Sequence, residues 1–569
     1  MSFSRILLTL LLSALFFLSH YDLSMAQVSQ PDNHQNGIVT SADRYASEAG
    51  LEILKKGGNA VDAAVAVQFA LAVTLPRAGN IGGGGFMVLH TRDGVINTLD
   101  FRERAPTRAT RDMYLDEDGE YLSEKSKIGG LASGVPGTVD GMITALERYG
   151  TLALEIVMEP AIRLAEEGYV LSHSHARSLN RAADRLREFD GSKEVFIKSD
   201  GSPWKAGDLF IQKDLAETLK RIANMGRRGF YSGLTGRLIV EEMSRTGGVI
   251  TLRDLRDYKS VWRKPIKAEF LDYELFMMPP PSSGGVVISQ VLNMLSEINI
   301  DEYGLNSADY VHRLAETLRR SFADRNYWLG DPDFSEIPTE ELLDQNYLAN
   351  RISDFNPSSA SSSETISHGQ PHDVVESDET THFNVADRHG NIVAVNTTLN
   401  GSFGSFVTVS GAGFLMNNEM DDFSAKPGEP NMFGLIGAEA NSIEPGKRML
   451  SSMSPTIVLK NNKPVFAGGG AGGPRIITAT LQNFLNMALF EMNANQAIAA
   501  PRVHHQWLPD KLYVEGLYFS NDTVEKLEAL GHQVERIGNI ALTHIIFIDE
   551  NGVMSGAVDS RGDGHVAGY

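Results

Sequence analysis

The pattern of apolar and polar residues changes about two-thirds of the way along the chain. Before residue 354, apolar residues recur at helical spacing over long stretches, and after residue 380 short runs alternate apolar and polar residues as strands do. Amphipathic helices are predicted in the first part at residues 213–225, 306–327 and 338–351. The pattern therefore predicts an α+β protein with a mainly helical first part and a sheet-rich second part.

One helix in the first part is predicted to be buried. Asn59 stands where a helix cap is favoured, and Asp62 lies in the first turn, where its negative charge suits the helix dipole. The alanine-rich run that follows is apolar nearly all round, and it stops at Pro76. Glycines at residues 82–85 then lead into a predicted strand. We therefore expect this helix in the core.

Hairpins are predicted in the second part, each with a turn of Asn, Asp or Gly residues between two β-rich runs. They lie at residues 381–401, 453–470 and 543–559. In the first hairpin, a five-residue turn at 387–391 would place Thr380 opposite Thr398, with Cβ atoms ~4.5–5.5 Å apart. Two hydroxyl groups would then be within reach of each other, with Asn400 on the face of Thr398. From spacing alone, an ordinary threonine ladder is the commoner explanation.

Residues 1–26 have the pattern of a targeting segment. They contain Arg5, an apolar run from residue 6 to 18 and small residues that end at Ala26, which together predict a cleaved secretory signal. An uncleaved amphipathic or membrane anchor is the alternative, although the run is shorter than the ~18–20 residues of a membrane span. No later apolar run reaches that length. We therefore expect an exported, soluble protein, periplasmic or secreted, with no stable membrane span.

Residues 354–379 are rich in Ser and contain two Pro residues. Such a segment buries too little apolar surface to offset its ordering entropy, so we expect it to be mobile and exposed. A plain surface loop would explain the composition. The segment nevertheless ends directly before Thr380, where it could accommodate a cut in the chain.

Composition and charge restrict the possible chemistry. The chain has 569 residues with no Cys, and 51 Lys and Arg against 72 Asp and Glu give a formal net charge of −21. That charge argues against nucleic acid or an anionic membrane as the main partner. The lack of Cys removes thiol nucleophiles and cysteine-based metal sites. Metalloprotease, α/β-hydrolase and phosphate-loop motifs are also missing, and we predict no metal and no cofactor.

A glycine-rich turn matches the pattern GxGxxG at Gly468, Gly470 and Gly473, with Glu491 downstream. A dinucleotide site is one interpretation. It is disfavoured because the preceding run belongs to an antiparallel hairpin and Pro474 stands where the first helical turn opens. The other interpretation is a cluster of backbone N–H groups that faces an anion or an oxyanion. The glycine spacing does not distinguish the two.

Threonine becomes a good nucleophile when a base lies beside it, and the simplest base is its own α-amino group after the preceding bond is cut. The run DETTHFNVADRHGNIVAVNTTLN resembles the processing-site region of γ-glutamyltransferases, which belong to the N-terminal-nucleophile hydrolase superfamily. Other segments from about residue 36 to the C-terminus resemble the same family: GGNAVDAAVAVQFALAV, NIGGGGFM, DFRERAP, MPPPSSGG, NNEMDDFSAKPG, RMLSSMSPT, AGGPRIIT and APRVHHQWLPD.

The resemblance implies a fold and a division of the chain. The fold is an αββα sandwich that two self-processed fragments form jointly. The large fragment is residues 27–379, and the small catalytic fragment is residues 380–569. The two would remain together as a heterodimer.

The resemblance also implies roles for single residues. Thr380 would attack the bond between Glu379 and Thr380 and then act as the N-terminal nucleophile, and Thr398 would hydrogen-bond and orient it. Gly472 and Gly473 would supply the oxyanion-hole amides. The residues implied to bind the substrate's α-carboxylate are Arg102, Ser451 and Ser452, and those implied for its α-ammonium are Asn400, Glu419 and Asp422.

Some of these residues fit other roles when taken alone. Arg102 could form an ion pair with Glu103, and Glu419 with Asp422 could be a solvated acidic turn or part of a metal site. Matching histidines for a metal are missing. His504 and His505 are expected to be structural.

The sequence departs from the family pattern at two positions near the pocket. Phe433 stands in the lid-like stretch 427–434 where many relatives have a gating tyrosine. Pro474 stands where a serine or threonine is common. Glu379, before the scissile bond, is within what the chemistry tolerates.

Our main hypothesis is an exported, self-cleaving γ-glutamyl hydrolase and transpeptidase. Its donors would be glutathione and related γ-glutamyl amides, and its acceptors water, amino acids or dipeptides. The nearest alternative is a glutaryl-cephalosporin acylase of the same superfamily, whose substrate side chain lacks the α-ammonium. An alternative of another class is a non-catalytic periplasmic protein that binds glutamate or peptides.

Overall fold

The computed structural model describes residues 30–367, 380–426, 431–432, 438–516 and 518–569. The predicted signal at residues 1–26 lies outside the described residues. None of the described helices combines the length and the apolar character that a membrane span requires.

The described elements are numbered in chain order. The helices are α1 (Arg44–Lys55), α2 (Ala60–Thr74), α3 (Ser123–Lys127), α4 (Thr138–Tyr149), α5 (Leu154–Glu167), α6 (His173–Leu186), α7 (Asp190–Phe196), α8 (Lys213–Met225), α9 (Arg228–Tyr231), α10 (Gly233–Thr246), α11 (Leu252–Asp257), α12 (Gly284–Glu297), α13 (Ala308–Trp328), α14 (Thr339–Leu342), α15 (Gln345–Ile352), α16 (Arg475–Phe490), α17 (Ala494–Ala499) and α18 (Asn521–Ala529). Short 3-10 helices lie at Gly130–Ala132, Ile300–Glu302, Glu419–Asp422 and Glu439–Asn441.

The strands are β1 (Asn33–His34), β2 (Gly37–Ser41), β3 (Gly84–His90), β4 (Ile96–Asp100), β5 (Tyr169–Val170), β6 (Leu209–Phe210), β7 (Val261–Arg263), β8 (Ile266–Phe270), β9 (Tyr273–Met277), β10 (Thr381–Asp387), β11 (Ile392–Thr398), β12 (Thr456–Lys460), β13 (Lys463–Ala471), β14 (Val503–His504), β15 (Leu512–Glu515), β16 (Val534–Ile537), β17 (Leu542–Ile548), β18 (Met554–Val558) and β19 (His565–Gly568).

Two seven-stranded sheets form the centre of the molecule. One has the order β1-β18-β17-β13-β12-β9-β8, and the other has the order β19-β2-β10-β11-β3-β4-β7. Neighbouring strands in both sheets run antiparallel. Each sheet combines strands from both sides of Thr380, so the parts of the chain before and after this residue share one core.

The two sheets pack face to face between two helical layers. Alternate residues of β10 point to opposite faces, so Phe383 packs in the core of the first helical layer with α1 and α2, while Ala386 packs between the sheets. On the other side, Phe466 of β13 belongs to the core formed with α12, α13 and α16. The architecture is therefore an α+β sandwich with αββα layers.

Local signals predicted several helices well. The α2 helix begins after Asn59, whose side chain accepts hydrogen bonds from the backbone of Val61 and Asp62, and all its residues are buried. The α8 helix has the predicted bounds, Lys213–Met225. The single helix predicted at 338–351 is wrong: α14 and α15 are separate helices, because the Asp344 side chain accepts a hydrogen bond from Tyr347 N–H and caps a new helix there.

The first part of the chain is less purely helical than predicted. Strands β1 to β9 all precede Thr380, and seven of them belong to the two central sheets. These strands have two to seven residues, and only β3, which follows the glycine-rich turn, was predicted from the sequence. Their partners are distant in the chain: β2 pairs with β10, and β3 with β11.

The serine-rich segment also differs from its prediction over residues 354–367. Most side chains there are exposed, but Ser363 and Ile366 are buried. Ser363 donates through its backbone N–H to Asp510 at 2.8 Å and through its hydroxyl to the carbonyl oxygen of Trp507 at 2.7 Å. The expectation of an exposed segment is therefore wrong at these positions, because Ser363 makes polar contacts with the second part of the chain and Ile366 packs in an apolar core that includes Trp507. Residues 368–379 lie outside the described residues.

Candidate active site

Thr380 and Thr398 lie at the open end of the β10–β11 hairpin. The turn at 387–391 gives the predicted register, with Thr381 opposite Thr397. Continuing this register by one residue brings Thr380 opposite Thr398. Their exposed fractions are 6% and 2%, and both residues line the same pocket.

Asn400, two residues after the end of β11, holds the hydroxyl of the second threonine. Asn400 has a φ of +75°, and its backbone N–H donates to the Thr398 hydroxyl oxygen at 2.8 Å. With that lone pair engaged, the Thr398 hydroxyl can act as a donor to another group. The Asn400 side chain donates to the carbonyl oxygen of Asn418 at 3.1 Å. Within the described part of the chain, no group donates to the Asn400 Oδ1 atom, so this oxygen can accept from a cationic ligand.

The glycine loop after β13 reaches the same pocket. Gly472 and Gly473 have φ values of +138° and +53°, where residues with side chains are rare. A Cβ atom on Gly472 would lie 2.9 Å from the Cα atom of Ala541. Among the described residues, no group accepts a hydrogen bond from the N–H of either glycine. Gly473 lines the pocket with Thr380, so the loop offers backbone donors of the kind that stabilise an oxyanion.

A buried ion cluster forms another wall of the pocket. The two terminal nitrogens of the Arg102 guanidinium contact the carboxylates of Glu419 and Asp422, which share one 3-10 turn. The guanidinium also donates to the carbonyl oxygens of Met449 at 3.3 Å and Leu450 at 3.2 Å. The residues predicted to bind the two opposite charges of a γ-glutamyl group therefore pair with each other.

Burial raises the pKa of the carboxyl groups in this cluster. Loss of solvation is the largest cause: it raises the pKa of Asp422 to about 8, that of Glu103 to about 7 and that of Glu419 well above its usual range. The positive charge of Arg102 opposes all three shifts. Burial therefore disfavours the charged form of these carboxyl groups, and an ammonium group beside them would favour that form.

Ser451 and Ser452 precede β12 and are fixed by a segment from the first part of the chain. The Ser451 N–H donates to the carbonyl oxygen of Pro281 at 2.8 Å, and the Ser451 carbonyl oxygen accepts from the Ser283 N–H at 2.7 Å. The Ser451 hydroxyl oxygen accepts from the Met453 N–H at 3.2 Å. Both serines line the pocket near Arg102.

Arg325 also lines the pocket, and the sequence analysis did not single it out. It lies near the end of α13, is 3% exposed and donates to the Ser452 hydroxyl oxygen at 3.2 Å. A signal was present: Arg325 continues, at helical spacing, the apolar stripe of Leu318 and Phe322. A charged residue on a core-facing stripe indicates a buried polar role.

Two predicted site residues, Glu379 and Phe433, lie outside the described residues. The departure at Pro474 can be located. Pro474 caps the N-terminus of α16 with a φ of −62°. Because the first N–H groups of a helix have no partner within the helix, proline at this point removes no helical hydrogen bond.

The histidine pair His504 and His505 lies outside the pocket, and the GxGxxG match lies in a fold that does not suit a dinucleotide site. The ring nitrogens of His504 form hydrogen bonds with the Thr478 hydroxyl (3.0 Å) and the Gln506 side-chain oxygen (2.8 Å). Burial lowers the pKa of His504 to about 3. His505 is buried too, with a pKa lowered to about 4. Both histidines lie outside the pocket lining, as expected of structural residues. The GxGxxG match begins inside β13, which pairs antiparallel with β12 and β17 and is not a strand of the parallel βαβ unit of a dinucleotide site.

Comparison with known proteins identifies the family. A family model described as gamma-glutamyltranspeptidase matches residues 46–569. The chain belongs to the gamma-glutamyltranspeptidase family. The glutathione hydrolase proenzyme of Escherichia coli (strain K12) is 45% identical over 546 residues, which cover 95% of this chain and 93% of that protein.

The gamma-glutamyltranspeptidase family has acylase relatives of similar fold. The acylase ACY 1 proenzyme of Pseudomonas sp. (strain V22) is 37% identical over 94% of each chain. The crystal structure of cephalosporin acylase from Bacillus halodurans superposes with a TM-score of 0.84 at 27% identity, covering 95% of this chain and 97% of that one. The predicted α+β fold of an N-terminal-nucleophile hydrolase is confirmed.

Within this member of the gamma-glutamyltranspeptidase family, one group of described residues is spaced closely enough to hold a metal ion. It consists of His312, Glu316 and His532. It lies outside the pocket lining, and Glu316 contacts Arg319 at 3.4 Å and Arg320 at 2.7 Å. Two positive charges beside the carboxylate oppose a metal cation there. We therefore assign this cluster a structural role.

Proposed function

We propose that this protein is a self-processing γ-glutamyl hydrolase and transpeptidase that acts on glutathione and related γ-glutamyl amides. One observation carries the proposal: the paired threonines, the glycine loop and the buried ion cluster all line one pocket. Together they supply a nucleophile, oxyanion donors and charges of both signs, which is what acyl transfer from a zwitterionic donor requires. Relatives named glutathione hydrolase proenzyme support the same function.

Processing would divide the chain into residues 27–379 and 380–569. The Thr380 hydroxyl attacks the carbonyl carbon of Glu379, the C–N bond breaks as the new ester forms, and water then hydrolyses the ester. This releases the Glu379 carboxylate and a free α-amino group on Thr380. Because β10 and β11 of the small fragment pair with β2 and β3 of the large one, the fragments would remain associated as a heterodimer.

Catalysis would use the group that processing creates. The free α-amino group of Thr380 accepts the proton of its own hydroxyl as the oxygen attacks the γ-carbonyl carbon of the donor. Thr398 orients the hydroxyl, and the N–H groups of Gly472 and Gly473 stabilise the oxyanion, at ~3–4 kcal/mol per donor. The leaving amine takes the proton, and a γ-glutamyl ester remains on Thr380. Water, an amino acid or a dipeptide then attacks this ester and restores the hydroxyl.

Donor recognition would exchange one set of ion pairs for another. The α-carboxylate of the donor would bind Arg102, Ser451 and Ser452, because a planar guanidinium suits a carboxylate. Its α-ammonium would bind Glu419 and Asp422, with the Asn400 side-chain oxygen as a further acceptor. The ligand's two charges would thus take the place of contacts that the pocket residues now make with each other.

We also propose that the protein is exported to the periplasm or the medium. The basic residue, apolar run and small residues within 1–26 support a cleaved signal. Sequencing the N-termini of both fragments of the purified protein tests this and the cut before Thr380 together.

The decisive experiment replaces Thr380 by alanine. This variant should remain one polypeptide near the 62.2 kDa of the full chain, or slightly less after signal removal, and should not release product from γ-glutamyl-p-nitroanilide. Thr380→Ser, which keeps a hydroxyl, should still cut itself and serves as the control. Two fragments from Thr380→Ala would contradict the assignment of the nucleophile.

A glutaryl-type acylase is the second candidate, because a cephalosporin acylase shares the fold over nearly the whole chain. A glutaryl side chain has a carboxylate and lacks the ammonium. Buried Glu419 and Asp422 in the pocket therefore favour the γ-glutamyl donor. Comparing kcat/KM for γ-glutamyl and glutaryl p-nitroanilides decides between the two: faster turnover of the glutaryl compound would favour the acylase.

A further inference from the structure

We infer that Arg325 is a positioning and specificity-determining residue of this pocket. It holds Ser452 as a hydrogen-bond donor and supplies a positive charge, without a carboxylate partner among the described residues, that selects donors with an α-carboxylate. The inference rests on the proposed γ-glutamyl transfer at this pocket, and it adds a residue that the family resemblance did not assign.

The first observation is that the Arg325 guanidinium is a buried cation without a carboxylate partner in the described part of the chain. Its hydrogen bonds run to neutral oxygens: Ser283 Oγ at 3.2 Å, Asn326 Oδ1 at 2.9 Å and Ser452 Oγ at 3.2 Å. Across the described ranges, no carboxylate lies within ion-pair distance of it. Burial accordingly lowers the pKa of Arg325 to about 10, and the charge of Asp422 opposes this shift.

Several other buried arginines among the described residues contact carboxylates. Arg320 contacts Glu316 at 2.7 Å, and Arg502 contacts Asp559 at 2.7 Å. In the pocket itself, Arg102 contacts two carboxylates. An unpaired buried charge is unfavourable, and an anion bound beside it relieves that cost. Arg325 therefore leaves this wall of the pocket electrostatically suited to an anion.

The second observation concerns the direction of the hydrogen bonds. A guanidinium only donates, so the Ser452 oxygen accepts from Arg325 and its own O–H hydrogen must point elsewhere. The Ser451 oxygen likewise accepts from the Met453 N–H. Among the described residues, no group accepts from either serine hydroxyl. Two hydroxyl donors and a guanidinium at one wall of a pocket form a site for a carboxylate.

A single guanidinium fixes both serines. It contacts Ser452 directly, and its Nε atom donates to Ser283 Oγ, which in turn donates to the Ser451 carbonyl oxygen at 2.7 Å. Removing Arg325 would free the Ser452 hydroxyl to rotate and would loosen the turn that carries Ser451. The effect should therefore appear in binding of the carboxylate rather than in attack by Thr380.

The test compares Arg325→Met and Arg325→Lys with the wild type on three p-nitroanilides. The γ-glutamyl compound has both charges, the glutaryl compound keeps the carboxylate, and the 4-aminobutyryl compound keeps the ammonium. Arg325→Met should lower kcat/KM about 10- to 100-fold for each carboxylate donor that the wild type turns over, mainly through KM, as expected for a lost hydrogen bond to a charged group. The 4-aminobutyryl rate should change less than about threefold. Arg325→Lys should lie between.

Where a variant or a donor turns over too slowly for kinetics, ligand affinity is measured instead. Calorimetric titration with L-glutamate should show an affinity about 10- to 100-fold weaker in Arg325→Met, whereas L-isoglutamine, whose α-carboxylate is an amide, should lose little. The matched control is Arg313→Met. Arg313 is a buried arginine of the same helix that donates to the carbonyl oxygen of Ile298 (3.1 Å) and the hydroxyl of Tyr303 (2.6 Å), outside the pocket lining.

The outcomes separate this inference from the proposed function. Equal losses for ligands with and without the carboxylate, or losses matched by Arg313→Met, would show a merely structural role and overturn the inference. Full retention of glutamate affinity in Arg325→Met would overturn it as well. If Arg325→Met does not yield the two fragments, the same comparison in Arg325→Lys decides. A wild-type protein that fails on every γ-glutamyl donor would instead overturn the proposed function.

Discussion

Replacing Thr398 by valine should separate the chemistry of the pocket from the stability of the hairpin. Valine has nearly the shape of threonine, so the main change is loss of one hydroxyl. The Thr398 oxygen accepts the Asn400 N–H at 2.8 Å, and a buried N–H without an acceptor costs ~1–3 kcal/mol. The hydroxyl also orients Thr380 in the proposed mechanism. A misplaced nucleophile lowers kcat about 100-fold, and self-cleavage should slow in parallel.

The neighbouring threonine is a matched control on the opposite face of the same strand. The Thr397 hydroxyl donates to the Gly84 carbonyl oxygen at 3.1 Å and accepts from Asn80 at 2.9 Å and Gln68 at 3.2 Å. At ~1 kcal/mol for each hydrogen bond, Thr397→Val should cost ~3 kcal/mol of stability. It should leave kcat close to the wild-type value, because its bonds lie away from Thr380.

The assay measures the denaturation midpoint, the rate of fragment formation and kcat with γ-glutamyl-p-nitroanilide for both variants. We expect Thr397→Val to be the less stable and Thr398→Val the less active. Thr398→Ser should recover most of the activity. Wild-type kcat and processing in Thr398→Val, or equal activity losses in both valine variants, would refute the orienting role and leave Thr398 a structural ladder residue.

Two further predictions address the glycine loop and the acidic turn. Gly472→Ala should lower kcat about 100- to 1000-fold, because the new Cβ atom would lie 2.9 Å from the Ala541 backbone and displace an oxyanion donor. The control is Gly552→Ala, which is also at positive φ but in open space and should keep the wild-type kcat. Equal kcat values in the two variants would contradict the role of the loop. The KM for γ-glutamyl donors should fall as pH rises through about 8, because the buried Asp422 carboxyl, whose pKa is about 8, then ionises and attracts the donor's ammonium. Asp422→Asn should have a higher KM without that fall, and an unchanged pH profile would count against Asp422 as the ammonium ligand.

The hairpin shows how far local reasoning reaches in this chain. The turn at 387–391 alone set the register that brings Thr380 opposite Thr398, because side chains alternate strictly along paired strands. The capped helix after Asn59 and the helix at 213–225 were predictable because a cap residue and amphipathic spacing are also local signals. Asp344 shows the limit: a single cap divided a helix whose apolar spacing was continuous.

The sequence by itself determined several helices, the β10–β11 hairpin and, through its motifs, the family. Only the tertiary structure decided how the pocket's charges are arranged. Arg102 meets Glu419 across 317 positions of sequence, and Arg325 meets Ser452 across 127. Helix caps and hairpin registers depend on residues a few positions apart, which a local pattern records. Pairing and burial of charges depend on which distant segments the two sheets bring together, and burial then sets the pKa values in the pocket.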